Sequence, residues 1–462
     1  VIDTHLRRTA LLVAGCFFME NIDTTIVATS APALAASLHV TPVATSMVLT
    51  AYLLALAMFI PLGGWLTSRF GARRIFMAAI TVFTVASLGC AVSTNLTQLV
   101  ATRVLQGVGG AMMVPVGRIV VMSGAAKKDI PKIMSFVLWP GLIAPVIAPL
   151  VGGLITTYAS WRWMFGINIP LGVLAFVAAW RLNLADTVAA ERAPLDWIGL
   201  LLTGLGLGGL SYAGHLIADD GASAPVTTGV GVGSLVLLVA AVAHLRRTAY
   251  PLIDLSPLRV PTFRVAALGG SLIFMVVMAV PFLLPLLFQE VFGWSPVFSG
   301  AVVLFVFIGN VAIKPLVNPL VNRFGLRRLL IASSVLFALT MAGCAALSAT
   351  TPLVVIAALV FVSGVARSVG LGSVAILTLS EIPNSMMRHA NTLASALTQT
   401  AMGLGVAVAA VGLRIGTLLS GTPSDAFRVD FALLALLVLA ALLNILRLHR
   451  TAGDAVREPA RV

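Results

Sequence analysis

The chain has 462 residues, 59% hydrophobic and 10% charged, with a formal net charge of +13 and a mean hydropathy of +1.06. That balance excludes a water-soluble domain and describes an all-α polytopic membrane protein whose main solvent is lipid. The excess of positive charge does not indicate a nucleic-acid partner, because the basic residues sit in short loops between apolar runs rather than on one soluble face.

A membrane span needs about 20 mostly apolar residues. In chain order such windows fall at 10–30, 43–66, 74–93, 98–122, 132–158 and 163–181. The first carries Glu20 and Asp23 and is too long for a cleavable leader, so it is expected to stay as a span. Two more windows follow at 196–217 and 226–244, the earlier one containing Gly204, Gly206, Gly208 and Gly209. Those glycines are embedded in leucines with no strand before them, which suits close helix packing and not a nucleotide loop. The last six windows are 263–288, 296–320, 328–347, 352–376, 390–412 and 430–447, for fourteen transmembrane helices in all.

The pattern R-F-G-x-R-R occurs at Arg69 to Arg74 and again at Arg323 to Arg328, after the second and tenth windows. It reads as a tight turn in which Gly71 or Gly325 reverses the chain while Arg69, Arg73, Arg74, Arg323 and Arg327 lie at lipid headgroups. Equivalent turns eight helices apart imply two six-helix bundles with two inserted helices between them. The expected division is 1–185, 186–258 and 259–462, the last ending in a short basic tail. On this map 22 of the 29 lysines and arginines fall on one side, including Lys127, Lys128, Lys132, Arg192, Arg388, Arg450, Arg457 and Arg461. Both termini are therefore expected to be cytoplasmic.

Four further signatures carry a resemblance to a known family. They are M-E-N-I-D-T-T-I-V around Asp23, G-x-L-x-x-R-F-G-x-R-R from Gly64, R-V-L-Q-G-V-G-G from Arg103, and P-G-L-I-A-P-V-I-A-P-L-V-G-G from Pro140, followed by S-W-R-W-M-F-G-I-N-I-P from Ser160. The chain resembles the major facilitator superfamily over almost its whole length, and specifically the fourteen-span drug/proton antiporter branch. Gly109 to Arg118 resembles one multidrug-transporter subgroup within it. The resemblance implies a central, cavity-facing Arg103 that responds to protonation of a nearby acid, with Gln106 and Gly107 in the same signature and Pro145, Pro149, Gly152 and Gly153 in the antiporter signature. Two departures stand out. Ser68 and Asn322 replace the acidic residue usual in the turn signature, which shifts gating towards hydrogen bonds, and Ala148 replaces a glycine.

Ionisable groups inside spans are costly, about 2.5–3.5 kcal/mol each on insertion scales, so each needs a reason. Asp23 is expected to couple protons, with Arg103 as its partner and Glu20 on a similar face; a structural carboxylate is the alternative. Arg118 and Lys314 either converge on an anionic ligand or snorkel to headgroups, and Arg367 is expected to snorkel or to serve helix packing. Asn310, Asn391, Thr398 and Gln399 either reach the cavity or bond between helices. Pro140, Pro145 and Pro149 should bend the fifth span. Cys16, Cys90 and Cys344 show no disulfide or zinc spacing, the histidines lie near helix ends, and no Walker loop or H-E-x-x-H occurs.

The resulting expectation is a monomeric multi-pass protein of a bacterial inner membrane that is not an enzyme, binds no metal and needs no cofactor beyond the proton gradient. Its partners would be the lipid bilayer, protons and a small-molecule substrate. By resemblance the substrates are drugs or toxic amphiphiles; a small organic anion or metal chelate is the alternative, and a transporter-like sensor or channel a third reading. Arg103, Arg118 and Lys314 in one cavity would favour the anion, whereas exposed Glu20 and Asp23 would favour a cation.

Overall fold

A computed structural model describes residues 4–123, 130–182, 184, 194–218, 223–449 and 452. Lys127, Lys128, Arg192, Arg450, Arg457 and Arg461, the side chains of Lys132 and Arg388, the expected boundary at 185/186 and most of the basic tail lie outside the described residues. The first group of helices is α1 (Thr4–Ile26), α2 (Ala31–Leu38), α3 (Ser46–Phe70), α4 (Ala72–Val92), α5 (Leu96–Ser123), α6 (Ile130–Tyr158), α7 (Arg162–Gly166) and α8 (Asn168–Arg181). Two more, α9 (Trp197–Ala218) and α10 (Ala224–Leu245), stand between the halves. The second half holds α11 (Pro261–Leu286), α12 (Pro296–Ala312), α13 (Lys314–Phe324), α14 (Leu326–Ala345), α15 (Leu353–Ser380), α16 (Met387–Ser420) and α17 (Pro423–Ile445).

Among the described residues, thirteen helical stretches are long and apolar enough to cross a membrane, and α12 with α13 makes a fourteenth that bends by 48°. The break was not expected within 296–320. It follows from Lys314-Pro315, since the proline ring cannot donate to the preceding turn and clashes with it, and so begins a new helix instead. The fifth span, α6, runs as one helix through Pro140, Pro145 and Pro149. The first span is longer than its window: α1 continues through a 3-10 turn at Val27–Ser30 into α2. It ends where His39 turns left-handed at φ 56°.

Both R-F-G turns adopt one conformation, with Gly71 at φ 90°, ψ 147° and Gly325 at φ 81°, ψ 152°. A side chain would be strained in that region, so glycine is required in each half. In the second half Arg327 also closes the end of α17, donating from Nε to Leu448 O at 3.0 Å and from Nη2 to Leu446 O at 3.2 Å. A cation suits the unpaired carbonyls of a helix C-terminus.

The halves meet most closely at the end remote from these turns. A Cβ on Gly153 of α6 would strike the backbone of Pro296, and one on Gly300 of α12 would strike that of Pro149. Small residues on both helices thus bring the two backbones together, the usual means of helix association where lipid is as apolar as the side chains. Gln289, in the turn after α11, adds a bond across the halves by donating to Thr29 O at 2.9 Å. Towards the turn face the halves separate around a cavity.

The inserted pair packs α10 on α9, and α9 on α3 and α16. Gly204 lies against Met58, Gly206 against Leu238 and Gly209 against Ser234, whereas Gly208 has open space beside it. The outer face of α10 leaves Val232, Val236 and Val239 exposed, as a lipid-facing helix does.

Candidate functional site

Asp23 of α1 is fully buried and accepts hydrogen bonds from three side chains. Arg103 Nη1 donates to Oδ2 at 2.5 Å, Gln106 Nε2 to Oδ1 at 3.0 Å and Asn168 Nδ2 to Oδ1 at 2.6 Å. Arg103 and Gln106 share one face of α5, and Arg103 Nη1 also reaches Gln106 Oε1 at 2.7 Å. Gly107 makes this possible: a Cβ there would meet Ala55 and the Tyr52 carbonyl, so α5 sits directly against α3. The α3 backbone in turn accepts from Arg103 Nε through Val48 O at 3.0 Å, and the Tyr52 ring lies under the guanidinium at 4.2 Å. Gln106 is tied to α4 through Ser87 Oγ at 2.8 Å.

The pair is neutral as a whole and sealed from solvent, with Asp23, Arg103 and Gln106 all at 0% exposure. Opposite charges with added hydrogen bonds are the arrangement that makes burial of either ion tolerable. Two polar atoms of the network remain unpartnered, Arg103 Nη2 and Asn168 Oδ1.

A cavity of about 340 Å³ lies between the halves and towards the turn face, lined by α1, α3 and α5 on one side and by α11, α15 and α16 on the other. Its size falls at the small end of ligand sites, which run from roughly 300 to 1,000 Å³. Glu20 and Arg118 line it from the first half; Asn391, Thr398 and Gln399 line it from the second. Asn310 and Lys314 are not brought there. Lys314 is exposed at the start of α13, and the Asn310 carbonyl accepts from Ser368 Oγ at 2.7 Å, between α12 and α15. Arg367 does not snorkel: at 8% exposure it lies over Phe307 at 5.1 Å and donates to Val277 O at 3.4 Å.

The signature residues divide by position. Gly64 is exposed with nothing near it, and the close approach belongs to Gly63, beside Met112 of α5. Ser68 Oγ donates to Trp65 O at 2.8 Å within its own helix, so it spends its hydrogen bond locally and not across the halves. Arg69 is exposed and lies over Trp65 at 5.4 Å. Arg74 and Arg323 are exposed, while Arg73 and Arg327 are half-buried. In α6, Gly152 meets Thr29 and Ile26 of the first span, beside the Gly153 crossing.

Some of these groups carried no role in the sequence reading. Asn168 stood in a quoted signature, so its motif was the available signal. Asp430 is the first residue of the last apolar window, so the window alone gives no sign of its depth. The helix starts at Pro423, which puts Asp430 two turns inside at 0% exposure, with neither carboxylate oxygen partnered. Gln289 had no local signal, since its role depends on a contact 260 residues away.

Outside the spans, Asp196 organises the inserted pair. It accepts from Gly199 N at 2.8 Å and Leu252 N at 3.2 Å, and it pairs with His244 Nε2 at 2.7 Å. Burial by itself raises its pKa, but the bonds from Gly199, His244 and Leu252 outweigh that and hold it below the ordinary carboxylate value. Among the described residues no cluster of three or more His, Cys, Asp or Glu suits a metal ion. All three cysteines are buried free thiols.

Comparison with known proteins agrees with this architecture. The chain is 36% identical over 405 residues to MdtD of Salmonella paratyphi A, a protein named for multidrug resistance, covering 88% of this chain and 85% of that one. MdtD of Salmonella typhimurium matches to the same extent. Among solved structures, an auto-inhibited POT family peptide transporter superposes with a TM-score of 0.71 at 16% identity, covering 98% of this chain and 99% of that one. A D-xylose–proton symporter superposes at 0.68 and 14%, covering 98% and 100%. At such low identity these two structures speak to the fold alone. The sequence profile of the Major Facilitator Superfamily matches residues 13–410 and 266–461, and the chain is a member of that family of multi-pass membrane transporters.

Proposed function

We propose that the protein is a proton-coupled antiporter that exports small molecules, drugs or toxic amphiphiles in the first place, across a bacterial inner membrane. It works as a monomer with both termini in the cytoplasm, and the proton gradient is its only energy source. One observation carries this reading: a sealed Asp23–Arg103 pair stands a turn of helix from an open cavity between two bundles. The multidrug-resistance name of the MdtD relatives supports the cargo.

The chemistry follows from hydrogen-bond inventory. Every partner of the Asp23 carboxylate is a donor, which suits an ionised acid that only accepts. A proton arriving there creates an O–H that faces donors, so Arg103, Gln106 or Asn168 must give way. Asn168 Oδ1 has no partner, and rotation of that amide supplies the acceptor a protonated Asp23 needs. Protonation and rearrangement of α1, α5 and α8 are then one event. For export, the α6–α12 crossing must open while the cavity closes on its other side, driven by the different affinities of the two states for proton and cargo.

The test is Asp23→Asn in proteoliposomes. Cargo flux driven by a pH gradient should be lost while the purified variant keeps its helical content and elutes as the wild type does. Undiminished proton-driven flux would overturn the assignment.

A further inference from the structure

The cavity carries one acid and one base that attract each other across it without touching. Glu20 Oε2 and Arg118 Nε are buried without a hydrogen-bond partner, and no ion pair joins the two side chains to each other or to another group among the described residues. Arg118 lies over the Phe17 ring at 5.3 Å. The remaining charges are elsewhere: Asp23 and Arg103 neutralise each other outside the lining, and Lys314 and Arg367 do not reach it. The walls between are apolar, as at Leu56 and Phe274, and the facing side of α16 offers neutral amides and hydroxyls. The cavity is therefore neither cationic nor anionic but polarised.

We propose that this site selects a zwitterion, a small molecule with one cationic and one anionic group on an apolar frame. The cationic group faces Glu20 and the anionic group faces Arg118. This rests on the reading of the cavity as the transport site. A cation alone would take Glu20 from Arg118 and leave the half-buried guanidinium without a counter-charge; an anion alone would do the reverse. An unpaired buried charge is a strong penalty, so discrimination comes from the mismatch as much as from the match. Both charged anchors belong to the first half, and the hydrogen-bonding groups of α16 belong to the second. A bound zwitterion thus spans the halves and favours the closed cavity.

Three probes sharing one frame isolate charge: homophenylalanine is the zwitterion, phenylbutyrate lacks its amine and phenylpropylamine lacks its carboxylate. Calorimetric titration of the purified protein should rank homophenylalanine first, by about tenfold or more over each of the others. Glu20→Gln should move first place to phenylbutyrate, and Arg118→Gln to phenylpropylamine. Should either variant fail to fold, the wild-type ranking alone decides. A wild-type preference for either singly charged probe, affinities within about threefold of one another, or no binding tighter than about 10 mM overturns the proposal. Binding is measured without a gradient, so failure here leaves the proton-coupling role of Asp23 standing, and failure of the Asp23→Asn flux test leaves this ranking standing.

Discussion

The two halves share a scaffold and differ in what they bury. Aligning Gly107 with Gly364 sets two equivalent crossings side by side, since each glycine admits a backbone from the second span of its own half, Tyr52 in α3 and Val306 in α12. On that alignment Val360 stands where Arg103 is and Ser363 where Gln106 is. Likewise Phe165-Gly-Ile-Asn168 parallels Phe427-Arg-Val-Asp430, and α17 packs on α11 and α14 as α8 packs on α1 and α4. In the first half the polar residue at this place completes a network around Asp23. In the second half Asp430 has no partner among the described residues, since α11 holds no acid and Val360 takes the place of the arginine. The same architecture therefore keeps a connected charge network on one side and an isolated acid on the other.

Substitutions should separate the halves by size and by sign. The largest effect is expected from Arg103→Ala, which leaves Asp23 buried without its counter-ion and should cost about 3–5 kcal/mol, read as a large fall in the melting temperature of the purified protein. Next comes the joint between the halves: Gly300→Leu overpacks the α6–α12 crossing at a cost of about 1–3 kcal/mol. It should hold that end open, so that a cysteine placed at Val297 labels faster than in the wild type. Asp430→Val should act in the opposite sense to Arg103→Ala, raising thermal stability by up to about 1–3 kcal/mol as an unsatisfied polar group is removed. A loss there comparable to that of Arg103→Ala would break the contrast between the halves.

The smallest effect lies in neither bundle and calibrates the rest. Asp196 has a depressed pKa when folded, so its stabilisation is fully present above the ordinary value of 3.8 and drains away as pH falls through the lower folded value. Thermal stability measured against pH should show an acid-side decline that Asp196→Asn flattens, with the variant less stable than the wild type near neutrality and the two converging at low pH.

Much of the architecture was legible because lipid imposes it. A backbone that must satisfy its own hydrogen bonds leaves few choices once apolar windows of spanning length are present. The repeated turn was legible for a local reason: a glycine at positive φ between two helices leaves a mark in the sequence itself. Asp23 and Arg103 could be named from their cost in lipid, and Asn168 lay within a motif whose purpose only the contact reveals. The break at Lys314-Pro315 was readable in principle, but α6 carries three prolines without a break in its helix, so proline alone does not decide it.

Composition, periodicity and the duplicated turn determined by themselves that the chain crosses the membrane in two related sets of helices and which ionisable groups had to be accounted for. Only the tertiary structure decided their partners: that Arg103 neutralises Asp23 away from the cavity, that Glu20 and Arg118 face it unpaired, and that Lys314 does not reach it. The reason is physical. Burial in lipid is a property of one helix and its sequence, whereas pairing of charges depends on which helices stand together and at what depth, and that is settled by packing between residues as far apart in the chain as Asp23 and Asn168.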